Sequence, residues 1–110
     1  MTPEMIREEY LDEHRRWRWV MAKLAFKVET FIARNNFVRH AERSNNPITA
    51  QEQLSHLLWM GSEEGLAAAD KPTKAMRWAC WMQGAMCILR VTNLEECKRL
   101  NMRKTWEENR

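Results

Sequence analysis

Three glycines and three prolines in 110 residues are too few to supply the turns of a hairpin-rich β fold. The chain also has no run of about 18 uncharged apolar residues, the length a membrane span needs. Its opening, MTPEMIREEY, lacks the charged start and apolar middle of a secretory leader. No membrane partner is therefore expected, and a cytoplasmic location is the default. Cysteine is scarce and odd in number: Cys80, Cys87 and Cys97 form no CxxC pair, and each falls inside an apolar or helical pattern. That argues against disulfides and zinc and predicts buried, reduced thiols.

Catalytic signatures are missing too. His14, His40 and His56 lie far apart without HExxH spacing, and no GxSxG, GxxxxGK or GxGxxG occurs. Glu8, Glu9, Asp12 and Glu13 place carboxylates at helical spacing, but the Glu-x-x-His pairs of a di-metal bundle do not accompany them. The expectation is a protein that is not an enzyme, with no catalytic residue, metal or cofactor.

What is present is helix-forming and 45% apolar, enough for one domain over residues 1–110 with a modest core that self-association would help. Eighteen Lys and Arg against fifteen Asp and Glu give +3, so charge matters only through its distribution.

Thr2 and Pro3 read as N-cap and first residue of a helix, with Glu4, Glu8 and Glu9 suiting its positive end. Nothing interrupts this pattern before Ser44-Asn45-Asn46-Pro47. That predicts one helix of about forty residues, roughly 60 Å long at ~1.5 Å per residue, or two helices jointed near Asn35-Asn36. One apolar stripe runs Tyr10, Trp17, Met21, Leu24, Val28, Phe31, Ile32 and Val38; another runs Trp19, Ala22, Phe26, Ala33 and Phe37. Two stripes need more than one neighbour, which makes this helix central or shared between subunits.

Thr49-Ala50-Gln51-Glu52 is a capping box for a helix over 50–60 ended by Gly61, and Ser62 caps a stub over 63–69. Thr73 reads as the cap of a helix over 74–90, and Asn93 to Glu96 as a second capping box opening a last helix toward Trp106. The fold class is all-α: a small bundle with one long, jointed N-terminal helix and three to four shorter ones. Gly84 costs its helix about 1 kcal/mol relative to Ala. With small Ala79, Cys80, Ala85 and Cys87 nearby, it predicts a tight crossing within the bundle or across a dimer axis.

Two stretches join cations to indoles. HRRWRWVMAKLAFK holds Arg15, Arg18 and Lys23 beside Trp17 and Trp19 with no acid among them. From Lys71 to Leu94 there is no carboxylate, while Lys74, Arg77, Trp78 and Trp81 share one helix edge and Arg90 follows. Phosphate neutralisation and stacking on a base need this pairing; so does a helix whose arginine and lysine stems cover inward-packed tryptophans. The ligand-binding candidates are Arg15, Arg18, Lys23, Lys74, Arg77, Trp78, Trp81 and Arg90. A helix-turn-helix over 48–70 is disfavoured, because its second helix would open Glu63-Glu64-Gly65 against a negative groove. An interfacial membrane helix at 15–27 is disfavoured by the flanking Glu8, Glu9, Asp12, Glu13 and Glu29.

Ala69-Asp70 followed by Gln83-Gly84-Ala85-Met86-Cys87-Ile88-Leu89-Arg90 resembles the second long helix of the small phage anti-CBASS sponges of type 2, where the pattern is A-D, a helix, then Q-G-x-M-x-L-x-R. The likeness spans about 22 of the 110 residues, and Trp81 stands where that family has a smaller residue. The resemblance implies helical hairpins assembled as hexamers that sequester cyclic nucleotide messengers without cleaving them, with Arg90 and its neighbouring cations on phosphate.

The function these readings favour is a non-enzymatic helical binding protein that self-associates and acts by occupying or sequestering a partner. Its size suits a phage or mobile-element inhibitor of a host protein. A sponge for a cyclic or other anionic nucleotide and a nucleic-acid binder are the alternatives.

Overall fold

The computed structural model describes residues 1–110. Helix α1 runs Pro3–Arg34, its start fixed by the Thr2 hydroxyl accepting from the Met5 amide and by Pro3 in the first turn. At about 1.5 Å per residue its 32 residues reach some 48 Å, and they set the long axis of a 50 × 27 × 18 Å molecule. The expected joint falls at Asn35-Asn36, and the chain beyond it is irregular rather than a second helix. Asn36 takes φ 58°, a left-handed conformation that Asn tolerates better than most residues. The Phe37 amide then bonds back to the Ile32 carbonyl at 3.2 Å while Phe37 stacks on Phe31, a Schellman ending with its apolar contact.

The irregular stretch 37–49 turns back and leads into α2 (Ala50–Met60), with the Glu42 amide held by the Ser55 carbonyl. The Thr49/Glu52 capping box is present as expected, and Gly61 ends the helix. A methyl built on Gly61 would overlap the Ala25 side chain, so this glycine, and not Gly84, lets two helices approach closely. Around Gly84 there is open space. The crossing expected there within the bundle is absent, and Gly84 faces solvent.

Helix α3 (Glu63–Ala68) is capped by Ser62. Helix α4 (Pro72–Ile88) begins earlier than Thr73 predicted: Pro72 takes the first turn, where its missing N–H costs nothing, and the cap is Lys71 without a side-chain bond. It ends on Arg90 at φ 63° with the Val91 amide on the Met86 carbonyl, a second Schellman ending with arginine in place of the usual glycine. The last helix is two: α5 (Leu94–Asn101) and α6 (Arg103–Asn109), broken at Met102, whose ψ of 131° is extended. Asn93 caps α5 through the Glu96 amide. The Glu96 carboxylate does not return to Asn93 but pairs with Lys27 on α1, so the expected box is half made.

Helix α1 is central. Its longest interface is with α4, which lies parallel to it, starting where His14 bonds the Ala69 carbonyl and ending beside Phe31. Trp17, Val20, Met21, Leu24, Val28 and Ile32 meet Leu54, Leu57 and Leu58 of α2 and Ala75, Ala79, Met82 and Met86 of α4 in one buried cluster. Small alanines on α4 leave room for the large α1 side chains, which lets the two helices pack closely. The predicted stripe holds at its centre and fails at its ends: Tyr10 is 50% and Val38 68% exposed. Of the second stripe, Trp19 tilts against Trp106 while Phe26 stays 69% exposed. The thiols divide as well: Cys97 is buried, Cys87 half-buried, and Cys80, expected inside, is exposed. No helix is long and apolar enough to cross a membrane.

Candidate functional site

On α4, Arg77, Trp78 and Trp81 occupy successive positions of one edge; on α2, His56, Trp59 and Met60 do the same. The edges face each other, and Arg43, Ser44 and Asn45 close one side, leaving an open cavity of about 420 Å³. His56 anchors that third wall, since its Nδ1 accepts from the Ser44 amide at 3.0 Å. The proton of the neutral ring therefore sits on Nε2.

The aromatic rings are interlocked. The His56 ring lies 5.8 Å from Trp59 at 16° and meets Trp81 edge-on at 5.4 Å and 84°. Trp59 in turn touches Trp78 at 6.1 Å. Arg43 stands over the Trp59 ring at 5.1 Å and Lys74 over Trp78 at 5.0 Å. Trp59 is buried, whereas Trp81 keeps 46% of its surface open and offers a free indole to a ligand. Burial, aided by the Arg43 charge, holds the His56 pKa below its ordinary value, so the imidazole is neutral near pH 7.

Arg43 and Arg77 make no ion pair, and no carboxylate lines the cavity. Lys74 is nearest to neutralised, 3.9 Å from Asp70. Two unpaired guanidiniums on an aromatic wall attract an anion and a flat π system together. An adjoining depression of about 400 Å³ shares Arg43 but carries Glu42 and Glu52 and no aromatic wall, so it offers an anion little.

The sequence candidates thus part company. Arg77, Trp78 and Trp81 line the cavity, with Lys74 behind Trp78. Arg15 is exposed on α1 and outside it; Arg18 is half-buried with its Nε unpartnered. Lys23 lies over Trp19 at 5.8 Å on another face, and Arg90 lines a depression with Arg34 and Phe31. Trp17 is core, packed under Arg16 at 4.5 Å. Arg16, which sequence reading did not single out, is buried and donates to the Asn101 carbonyl and to Glu13, tying α1 to α5. Arg43 and His56 were missed for the cavity itself. Their partners come from distant chain, and in the sequence only the α4 half of the site was marked, by the cation and indole spacing and the absence of acid over 71–94.

No three His, Cys, Asp or Glu side chains gather as a metal site. Compared with known proteins, the chain matches no family model, no curated sequence and no solved structure.

Proposed function

We propose that the protein is a non-catalytic binding protein that sequesters an anionic ligand bearing a flat aromatic group, the chemistry of a nucleotide, in the cavity between α2 and α4. The observation that carries this reading is the pairing of two unpaired guanidiniums, Arg43 and Arg77, with the open indole of Trp81 in a cavity free of carboxylates. Its volume of about 420 Å³ is within the ~300 to 1,000 Å³ of small-molecule sites. Stacking on an indole contributes about 1 to 3 kcal/mol per base, and a guanidinium on phosphate a similar amount, about 1.5 to 3 kcal/mol.

Binding without turnover is favoured because the cavity's one acid–base group, His56, has Nδ1 engaged by Ser44 and its ring wedged between Trp59 and Trp81. Cyclic nucleotides, the ligands of the sponges that residues 69–90 resemble, belong to the proposed class. A small sequestering protein of this kind fits a phage or mobile-element inhibitor acting in a cell's cytoplasm.

The test is a titration with mononucleotides, cyclic nucleotides, nucleosides, inorganic phosphate and single-stranded DNA at two salt concentrations, followed by tryptophan fluorescence and by recovery of the ligand. Saturable quenching by a nucleotide, exceeding that of its nucleoside or of phosphate and with the ligand recovered intact, is expected. Cleavage of the ligand, or stronger binding of DNA than of any nucleotide, defeats the proposal.

A further inference from the structure

The side of α1 that carries Trp19, Lys23, Phe26, Lys27, Thr30 and Arg34 borders two continuous depressions, one of about 630 Å³ against α5 and α6 and one of about 460 Å³ beside Arg90 and Val91. They share Phe26, which is 69% exposed, and Lys27. Six cations and two carboxylates line this groove, and both carboxylates are already engaged, Glu96 by Lys27 and Glu108 by Lys104. Lys23, Arg34 and Arg90 have no ion-pair partner. The result is a basic channel with an open aromatic ring at its middle.

The first ten residues of the chain, by contrast, are exposed throughout and project beyond the bundle. At 100° per residue, Met5 on the projecting turns is flanked by Glu4 and Glu8 on one edge and Glu9 on the other, Arg7 lies opposite, and Met1 precedes the helix. Glu4, Glu8 and Glu9 make no ion pair within the chain. Uncovered turns gain nothing from tertiary packing, which is what holds most helices in water. From Pro3 to Tyr10 they measure about 12 Å, and the groove from Trp19 to Arg34 about 24 Å, at ~1.5 Å per residue.

We propose that the acidic, methionine-bearing projection of one copy of this chain docks in the basic groove of a second copy, with methionine against Phe26 and the glutamates toward Lys23, Arg34 and Arg90. Charge complementarity and length select this occupant. Both surfaces also belong to one continuous helix, so the projection cannot fold back into its own groove and only another molecule can bring them together. The interface is separate from the α2/α4 cavity and does not depend on its ligand.

Light scattering and sedimentation across micromolar concentrations test this, with three full-length variants. Wild type is expected to exceed its monomer mass of 13.2 kDa, less so at high salt. Glu8→Lys with Glu9→Lys, and separately Lys23→Glu with Arg34→Glu, should each raise the concentration needed for association at least tenfold while circular dichroism stays unchanged. The chain carrying all four reversals should associate again. A wild type that remains monomeric, reversals without effect, or a four-fold variant that stays apart overturns the proposal. So does a monomer whose groove instead takes a single-stranded oligonucleotide, lost in the Lys23→Glu, Arg34→Glu variant.

Discussion

The His56 imidazole meets the Trp81 indole edge to face, the ring centres 5.4 Å apart and the planes at 84°. A charged imidazole there would lose hydration and face Arg43, and for both reasons the pKa is lowered, burial first. With the folded value below the unfolded one, the unfolded chain binds more protons as pH falls through the histidine range. The contribution of His56 to stability is therefore complete above the ordinary value of 6.5 and is lost as pH drops through the folded pKa. Thermal melts between pH 7 and 5 should show a falling midpoint. Replacing His56 by Gln should flatten that fall; an unaltered slope would mean another group carries it.

Arg43→Ala and Arg77→Ala should each weaken nucleotide binding about 5- to 150-fold, equivalent to ~1 to 3 kcal/mol, and leave helicity intact. Trp17→Ala should do the reverse, costing about 3 to 5 kcal/mol of folding stability through the cavity it leaves. Calorimetry for the first pair and urea unfolding for the third separate a ligand role from a packing role. Equal losses of stability in all three would make the cavity structural.

Glycine has two different meanings in this chain. A methyl on Gly65 would run into the carbonyl oxygens of Trp59 and Met60, fixed backbone at the α2–α3 corner, whereas one on Gly84 meets nothing. Gly65→Ala is expected to destabilise by about 1 to 3 kcal/mol, the range of overpacking. Gly84→Ala is expected to stabilise by up to ~1 kcal/mol, the helix propensity gain. Denaturant melts of the two variants give the signs directly.

Cys97 and Cys87 place their sulfurs 4.0 Å apart. Burial foremost, then the neighbouring Cys87, pushes the Cys97 thiol up to about 11, so it is a poor nucleophile at neutral pH. Exposed Cys80 should react with a disulfide reagent well before Cys97. Because the folded pKa is the higher one, the thiol's contribution is full below the ordinary value of 9.0. It declines as pH rises toward the folded value, and an alkaline melt series on wild type and Cys97→Ala should show that difference.

Most of what depended on neighbours in sequence was legible: Thr2-Pro3, the Thr49/Glu52 box, Gly61, Ser62 and the joint at Asn35-Asn36 all rest on contacts within a few residues. The α4 start was misplaced because Thr73 and Pro72 both carry helix-start chemistry, and proline's fixed φ prevailed. The α5–α6 break has no proline or glycine to announce it. It coincides instead with Arg16, from 85 residues away, drawing on the Asn101 carbonyl. Half of the cavity was visible as spacing on α4. Arg43 and His56 were not, since a loop crossing two tryptophans is a tertiary fact.

That same Arg16 contact belongs to a set. Helices α5 and α6 are held to α1 through Arg16 to the Asn101 carbonyl, Lys27 to Glu96, Arg103 to Asp12 and Glu13, and Trp106 and Arg110 to Asp12, while burying fully only Cys97 and Trp106. Apart from that of buried Arg16, these polar clasps are open to water, and such clasps resist opening far less than the aliphatic seam between α1 and α4. The C-terminal helices should lift away as a unit while the rest stays folded, exchanging their amide hydrogens ahead of α4. The protein thus has a detachable edge, and raising salt should make it come off sooner.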